Sequence, residues 1–436
     1  MTNFFQGSAR QLLAVPLILA LYSLAARSAA YAGRTVGSSE LVKPIASKEA
    51  FAGAVLHVTT LESSGIGSLR RAIEDPHPRL VVFDVGGVID LHGESLVVRD
   101  PHLIIAGQTA PDPGITLIKG SLIVETSDVA VQHIAVRSGH AYPDDAMGAR
   151  RGKTSVHDIV FDHCSATWAV DENLSVSGPA DTESVDATSH DVTLRSCLIA
   201  EGLSHSVHKK GEHSKGTLIH DGVRDVTITG CLYAHNRQRN PRLKGGTTST
   251  LTGNVIYNWG DQCVGVGARG NKKMLAPAQS ALTANVAIAG PDTTSLVVVK
   301  SVDPGAKVTL LDDVAVDARG NALRLADDGV VATSIGNDAA HAWSNVERVL
   351  RTAGSRPARR DAIDTRIVQS VIDGTGRIID DENQVGGYPD RKATTRIVEV
   401  PASGRAEWLQ KLSDDISVDR TIDVRALWKR LHVRSR

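Results

Sequence analysis

Apolar and polar residues alternate in short bursts through the middle of the chain, and the bursts resemble one another. "SDVAVQHIAV" (127–136), "HDIVFDHCSA" (157–166), "HDVTLRSCLI" (190–199) and "RDVTITGCLY" (224–233) each open on a polar residue and Asp. Each then runs through alternating apolar positions to an eighth residue, which is Ile134, Cys164, Cys197 or Cys231. "TSTLTGNVIYN" (248–258) and "SALTANVAIAG" (280–290) continue the series with Asn254 and Asn285. Successive equivalent positions are 30, 33, 34, 23 and 31 residues apart. Alternation over so few residues predicts short strands, half of whose side chains face a core.

A constant short strand on a variable period is what a coiled ribbon with loops of different length produces. Each turn buries its inward side chains, while its backbone pairs with the turns above and below. Like residues then stack in ladders about 4.8 Å apart. The signatures of leucine-rich and propeller repeats are absent. The predicted fold is all-β: a right-handed, single-stranded parallel β-helix with an N-terminal cap and a C-terminal helical tail.

The texture changes on either side of this core. "GIGSLRRAIEDPHPRLVVFDVGGVIDL" (65–91) has a short helical pattern and then a strand, which suits a cap over the open end of the coil. Beyond about residue 340 the period turns helical. "SNVE" at Ser344–Glu347 reads as a capping box, opening a helix that should stop near Gly354. Ile363, Ile367, Val368, Val371 and Ile372 keep one apolar face as far as Gly374, and "RAEWLQKL" and "VRALWKRL" also look helical. The expected division is 1–32 an export signal, 33–340 the capped β-helix, and 341–436 a tail packed along its outside.

The export signal rests on Arg10, the apolar run "LLAVPLILALYSLAA" (12–26) and the small residues of "AYA" at 30–32. The run is too short to span a membrane comfortably, and Arg27 ends it early. The mature chain is thus expected to be secreted or periplasmic, with no membrane attachment after cleavage. Cys164, Cys197, Cys231 and Cys263 match neither a small disulfide scaffold nor a zinc site. Three of them sit on the repeat, where free, buried thiols are expected. Aromatic residues make up only 4% of the chain, and Val, Ile, Thr, Gly and Asn recur, which favours strands and turns.

The formal net charge is -1, which excludes a globally basic nucleic-acid binder. Against that neutral background, "LYAHNRQRNPRLKGG" (232–246) puts Arg237, Arg239, Arg242 and Lys244 within eight positions and contains no acid. Four like charges so close repel one another, so something anionic should compensate for them.

Taken in order, "VVFDVGGVIDL", "LIIAGQTAP", "DDAM", "DHCSATW", "AEGLSHSVHKKGEHSKG", "AHNRQRNPRLKGG" and "NVIYNWG" resemble the pectate lyases of polysaccharide lyase family 1. The tail "DTRIVQSVIDGTGRIIDDENQVGGYP" looks like one branch of that family, so the resemblance covers roughly residues 50 to 390. It implies a parallel β-helix and calcium-assisted cleavage of polygalacturonate by β-elimination. The implied partner is an acidic polysaccharide, which would supply the missing counter-charge, and a monomer is expected.

Elimination across a uronide needs the weakly acidic C5 proton removed while the carboxylate is neutralised. Cations aimed at developing charge are usually the largest contribution, and a calcium ion with hard oxygen ligands would neutralise the carboxylate. The resemblance implies that Arg239, in "RNPRLK", is the base. Its pKa in water is above about 12, so it can serve only where its charged form is disfavoured; Arg242 and Lys244 are placed to do that. Both are also expected to bind substrate, together with Lys210, for which Lys209 is the competing choice; Arg237 has no motif behind it. Asp145 matches the family's metal ligand, with Asp144 as the weaker neighbour. In "DENLSV" Asp171 fills the first of two acidic places, but Ser175 fills the second, so Glu172 is expected to compensate. Asp162 reads as a ladder residue, and His205, His208 and His213 as structural. A hydrolase would need two carboxylates flanking the bond, whereas cations dominate here. A calcium-independent lyase of methylated pectin or another uronate polymer, and a non-catalytic sugar-binding β-helix, stay open.

Overall fold

The computed structural model describes residues 48–150, 152, 154–179, 187–267, 276–301, 305–335 and 338–433. The expected export signal at 1–32 lies outside the described residues. Three sheets run the length of the molecule, with 11, 10 and 9 strands, and successive strands along the chain fall in the three sheets in turn. Among the described residues pairing is parallel, apart from the antiparallel contact of the tail strand Thr394–Thr395 with Val85 and Gly86 and an isolated antiparallel bridge between Val316 and Ala322. This is a parallel β-helix with a helical C-terminal part.

The local causes are visible in the repeat. Its Asp residues, Asp128, Asp158, Asp191 and Asp225, all take left-handed backbone angles, with φ between 51° and 56°. Asp tolerates this region better than most side chains, so it suits the corner at which each strand of the 11-stranded sheet begins. A second left-handed corner falls just before the repeat's eighth place, at His133, His163, Ser196, Gly230, Gly253 and Ala284. Between the two corners the chain has no choice but a short strand.

The pairing of neighbouring strands places Ile134, Cys164, Cys197, Cys231, Asn254 and Asn285 on consecutive turns at one position of the coil. The six-residue stack is as expected, and all four cysteines are buried and free. The Cys197 amide donates to Cys231 Sγ at 3.4 Å, and Asn254 Nδ2 donates to Asn285 Oδ1 at 2.8 Å. The stack runs one step further, because Asn285 donates to Asp313 Oδ1 through its amide N–H (2.9 Å) and Nδ2 (2.8 Å). Asp162 also proves to be a ladder residue, in the 11-stranded sheet between Gln132 and Arg195.

The N-terminal cap forms as expected. Helix Leu69–Ile73 starts at Ser68, whose side chain accepts the Arg71 N–H, and strand Arg79–Phe83 follows it into the first sheet. In the tail, the capping-box reading is corrected. Helix Ala339–Thr352 begins earlier, capped by Asp338, and Ser344 lies inside it with its hydroxyl donating to the His341 carbonyl. Asp338 wins because its carboxylate accepts the Ala340 and His341 amides, the orphan donors of a helix start. The helix does end at the expected place, just before Gly354 (φ 105°). Helix Ala362–Asp373 stops at left-handed Gly374 and buries Ile363, Ile367, Val368, Val371 and Ile372. These pack on the outer face of the 10-stranded sheet, against Leu198, Leu232 and Val255. At about 1.5–3 kcal/mol for each buried aliphatic side chain, this face accounts for the docking of the tail.

Candidate functional site

On the 9-stranded sheet, Gly148, Ser175, Leu218, Arg242 and Gly265 stand side by side in register. Because the strands are parallel, the residues entering each one line up along the same edge. Asp145 precedes strand Met147–Ala149, and Asp171 precedes Glu172–Val176. His213 precedes Lys215–Ile219, and Arg239 precedes Arg242–Leu243. Glu172 pairs with Lys215, and Lys215 bridges to Gln238 beside Arg239. Residues nearly a hundred positions apart thus share one edge of the coil.

Asp145, Asp171 and Glu172 each direct one carboxylate oxygen into a group whose members lie within 4.8 Å of one another. Asp145 Oδ1 accepts the Glu172 amide at 2.9 Å. Its Oδ2 accepts from Ser175 Oγ and, at 2.9 Å, from Arg150, whose other nitrogen reaches Asp144 at 2.6 Å. Burial raises the Asp145 pKa despite the Arg150 charge beside it. Asp171 shifts the opposite way. Burial pushes it up, but the hydrogen bond and charge of His213, with His208 and Arg239 behind them, bring it below the usual carboxylate range. His213 Nε2 is 2.7 Å from Asp171 Oδ1, His208 Nε2 is 3.6 Å from Oδ2, and the two rings stack at 3.7 Å.

Arg239 sits in a left-handed backbone position (φ 62°), held by a chain of buried amides. Asn173 Nδ2 donates to Asn236 Oδ1 (2.9 Å), and Asn236 Nδ2 donates to Asn240 Oδ1 (3.0 Å). The facing strand comes close enough that a Cβ on Gly216 would lie 2.6 Å from the Arg239 carbonyl oxygen. The Arg239 guanidinium forms an ion pair with Glu172. Burial lowers its pKa, opposed by the charges of Asp171 and Asp145. The cause is therefore desolvation, and the expected depression by Arg242 and Lys244 is corrected.

The expectation that substrate alone supplies the missing counter-charge is corrected too. Arg237 pairs with Glu212 and, at 3.4 Å, with Asp261. Lys244 pairs with Asp221, which is 2% exposed. Arg242 donates to the Gly267 carbonyl at 2.8 Å. All of these partners lie outside the 232–246 stretch, so the stretch itself cannot show them.

Lys210 and Lys209 are exposed. The lysine that the fold buries beside Glu172 is Lys215, whose Nζ donates to Gln238 Oε1 at 2.5 Å. Burial lowers its pKa to about 8. Neither Lys215 nor Arg150 is among the residues expected from the sequence, while His208 and His213, expected to be structural, pack against Asp171. Lys215, like Lys210, is a lysine followed by Gly within the same stretch, and strand register is what sets Lys215 beside Glu172.

No family model matches the chain. Proteins named "Probable pectate lyase C" are similar to it: those of Aspergillus oryzae and Neosartorya fischeri are 38% and 39% identical over 212 residues, and that of Emericella nidulans 38% over 210. Over that stretch the chain is similar to the curated pectate lyases. Each match takes in 48% of this chain and 44% of the relative, so the chain spans less than half the length of the curated pectate lyases it matches. Among solved structures, the major allergen from cedar pollen is similar with a TM-score of 0.46, at 15% identity over 66% of this chain and 81% of that one. A pectate lyase from Bacillus sp. N165 in complex with trigalacturonate has a TM-score of 0.43, at 10% identity over 74% and 96%.

The acidic trio fits a hard divalent cation. It offers three converging carboxylates, with Asp145 and Glu172 almost fully buried, and hard oxygens are the donor type calcium takes. The rise of the Asp145 pKa marks a site where negative charge is poorly solvated, and a cation would relieve it.

Proposed function

We propose that the chain is a secreted polysaccharide lyase that cleaves polygalacturonate by β-elimination, with Arg239 as base and calcium held by Asp145, Asp171 and Glu172. The observation that carries this reading is the convergence of a partly buried arginine and three carboxylates on one edge of the 9-stranded sheet. A bound calcium ion would draw charge from the substrate carboxylate and make the C5 proton more acidic.

The protein's own residues would do the rest. Arg239, in its neutral form, takes the C5 proton. The freed electron pair forms the C4–C5 double bond, and the C4–O bond to the leaving sugar breaks as its oxygen gains a proton from solvent. Burial makes the neutral guanidine accessible in alkali, so activity is expected on the alkaline side. Lys215, bridged to Gln238 beside Arg239, and Arg242, three residues further along the same segment, would supply charge for neighbouring uronate carboxylates, with Lys210 at the rim. Export across the cytoplasmic membrane, a monomeric state and a division of the chain near residue 340 complete the proposal. Among the described residues, no helix is long and apolar enough to cross a membrane.

One observation favours a second reading. Each carboxylate of the trio already has a partner from the protein: Arg150 and Ser175 donate to Asp145, His213 meets Asp171, and Arg239 is ion-paired with Glu172. Such internal compensation suits a calcium-independent lyase acting on methylated pectin. Ultraviolet absorbance of the unsaturated product, on polygalacturonate and on methylated pectin with and without chelator, separates the two. Activity on polygalacturonate that chelator abolishes supports the first, and chelator-resistant activity on methylated pectin supports the second. No product on either polymer leaves a sugar-binding β-helix.

A further inference from the structure

Two loops carry side chains of the candidate site beyond the sheet edge. Residues 138–146 lead to Asp144 and Asp145, and residues 201–214 carry His208 and His213. Neither loop belongs to a strand, yet one short tail segment, 379–388, fastens both. On the first loop, Glu382 Oε2 accepts the His140 amide at 2.8 Å, and Oε1 lies 2.9 Å from His140 Nδ1. Tyr388 Oη donates to the Ser138 carbonyl at 2.9 Å, and its ring meets Trp168 edge-on at 5.9 Å. On the second loop, the Ser204 amide donates to the Ile379 carbonyl at 2.8 Å, and the His205 amide donates to Asp380 Oδ1 at 2.9 Å.

The segment is itself rigidly built. Asp381 caps the 3-10 turn Glu382–Val385 by accepting the Asn383 amide, and Gly386 closes the turn in the left-handed region (φ 104°). Ile379 is buried, and helix Ala362–Asp373 anchors the chain just upstream. Glu382 is 2% exposed, so a charged group has been buried in order to hold one histidine and one backbone amide. A buried charge is tolerated only where its partners are fixed.

We propose that Glu382 and Asp380 are positioning residues: through His140 and His205 they set the spacing of the loops that bring Asp145 and His213 to the Asp171–Glu172 edge. This rests on the function proposed above. Shifts of about 1 Å at such a site can cost on the order of a hundredfold in rate, so a strap across both loops is a means of keeping the acids in range of one another. The Glu382 carboxylate, accepting from the His140 ring, raises the His140 pKa against its partial burial, and the charges of Glu382 and Asp381 add to this.

The test compares the full chain with Glu382→Ala, Asp380→Asn and Tyr388→Phe, by amide hydrogen exchange and by turnover of polygalacturonate. Expected for Glu382→Ala is faster exchange at 139–146 with the strands unchanged, and kcat down roughly ten- to hundredfold while KM stays within about threefold. Asp380→Asn should free 203–207 with a smaller loss of kcat. If Glu382→Ala does not fold, the two milder variants decide. Unchanged exchange in both loops overturns the proposal, as does faster exchange with kcat untouched, which would mark the strap as structural only. Should the wild-type chain make no unsaturated product, the proposed function fails. The exchange arm still reads the strap, and unaltered loops would then overturn it independently.

Discussion

The imidazole Nε2 of His213 lies 2.7 Å from Oδ1 of Asp171, and this contact holds Asp171 below the usual carboxylate range despite its burial. A carboxyl group whose folded pKa is depressed gives stability that is present above its unfolded pKa, about 4. That stability is lost as pH falls through the folded value. Replacing His213 with Ala leaves only the charges of His208 and Arg239 to oppose burial, so this acid-side loss should shrink in the stability profile. At neutral pH the variant should lose about 1.5–3 kcal/mol, as for a hydrogen bond to a charged group. Urea unfolding between pH 2 and 7 reads both effects, and an unaltered profile would show that the contact contributes nothing.

Arg239→Ala should abolish elimination while leaving polygalacturonate binding within a few-fold. Arg239→Lys should restore little, because a flexible ammonium does not reproduce the fixed direction of a guanidinium nitrogen. Since burial is what lowers the Arg239 pKa, Arg242→Ala should leave the alkaline limb of the kcat–pH profile in place. If that limb moves to higher pH, charge repulsion matters after all. Near wild-type kcat in Arg239→Ala would move the base elsewhere, and Lys215, titrating at about 8, is then the nitrogen to test.

Lys244→Ala should act on stability before it acts on substrate. Its partner Asp221 is 2% exposed, and removing one member of a buried pair leaves an uncompensated charge. The cost of such a loss is about 3–5 kcal/mol. Asp221→Asn in the same chain should recover much of it. Thermal unfolding of the single and double variants measures both. A Lys244→Ala protein of native stability with a raised KM would return Lys244 to the substrate.

What was legible in the sequence follows from range. The six-step stack from Ile134 to Asn285 could be read because each strand announces itself locally, through Asp at one corner and alternation after it. Asp145, Asp171, Glu172 and Arg239 could be named because they sit in compact motifs. Lys215 could not, since only strand register sets it beside Glu172 and Gln238. The counter-ions Glu212, Asp221 and Asp261 were hidden for the same reason, being supplied by other turns of the coil. Ser344 misled because its capping pattern is local and genuine, while Asp338 accepts the same class of amide donors one and a half turns earlier.

Ser175 stands where many pectate lyases carry a second acid, and its hydroxyl donates to Asp145. Ser175→Asp would set a further carboxylate against Asp145, beside Gly148, which has no side chain of its own. Without calcium, two adjacent buried carboxylates repel, so the melting temperature should fall. With calcium the added ligand charge should tighten binding and recover the loss. Asp145→Ala should do the reverse, raising the calcium needed for half-maximal activity. Melting curves with and without calcium check the first expectation and activity titrations the second. A Ser175→Asp protein indifferent to calcium would remove this edge from consideration as a metal site.

Asp313 ends the interior stack as an acid where Asn would continue it. Its Oδ1 accepts both the amide and Nδ2 of Asn285, yet burial raises its pKa to about 7. The unfolded chain ionises this group near pH 4. Between about pH 4 and 7 the folded state therefore binds more protons than the unfolded state, and stability falls as pH rises through that window. Above it the deficit is complete and constant. Asp313→Asn removes the titration and can place an amide nitrogen towards the Leu282 carbonyl, as Asn285 does towards Leu251 one turn earlier. The variant should match wild type near pH 4 and exceed it by about 1 kcal/mol or more at pH 8. Urea unfolding across that range measures the difference. Parallel curves for the two proteins would show that Asp313 is ionised in the folded state throughout.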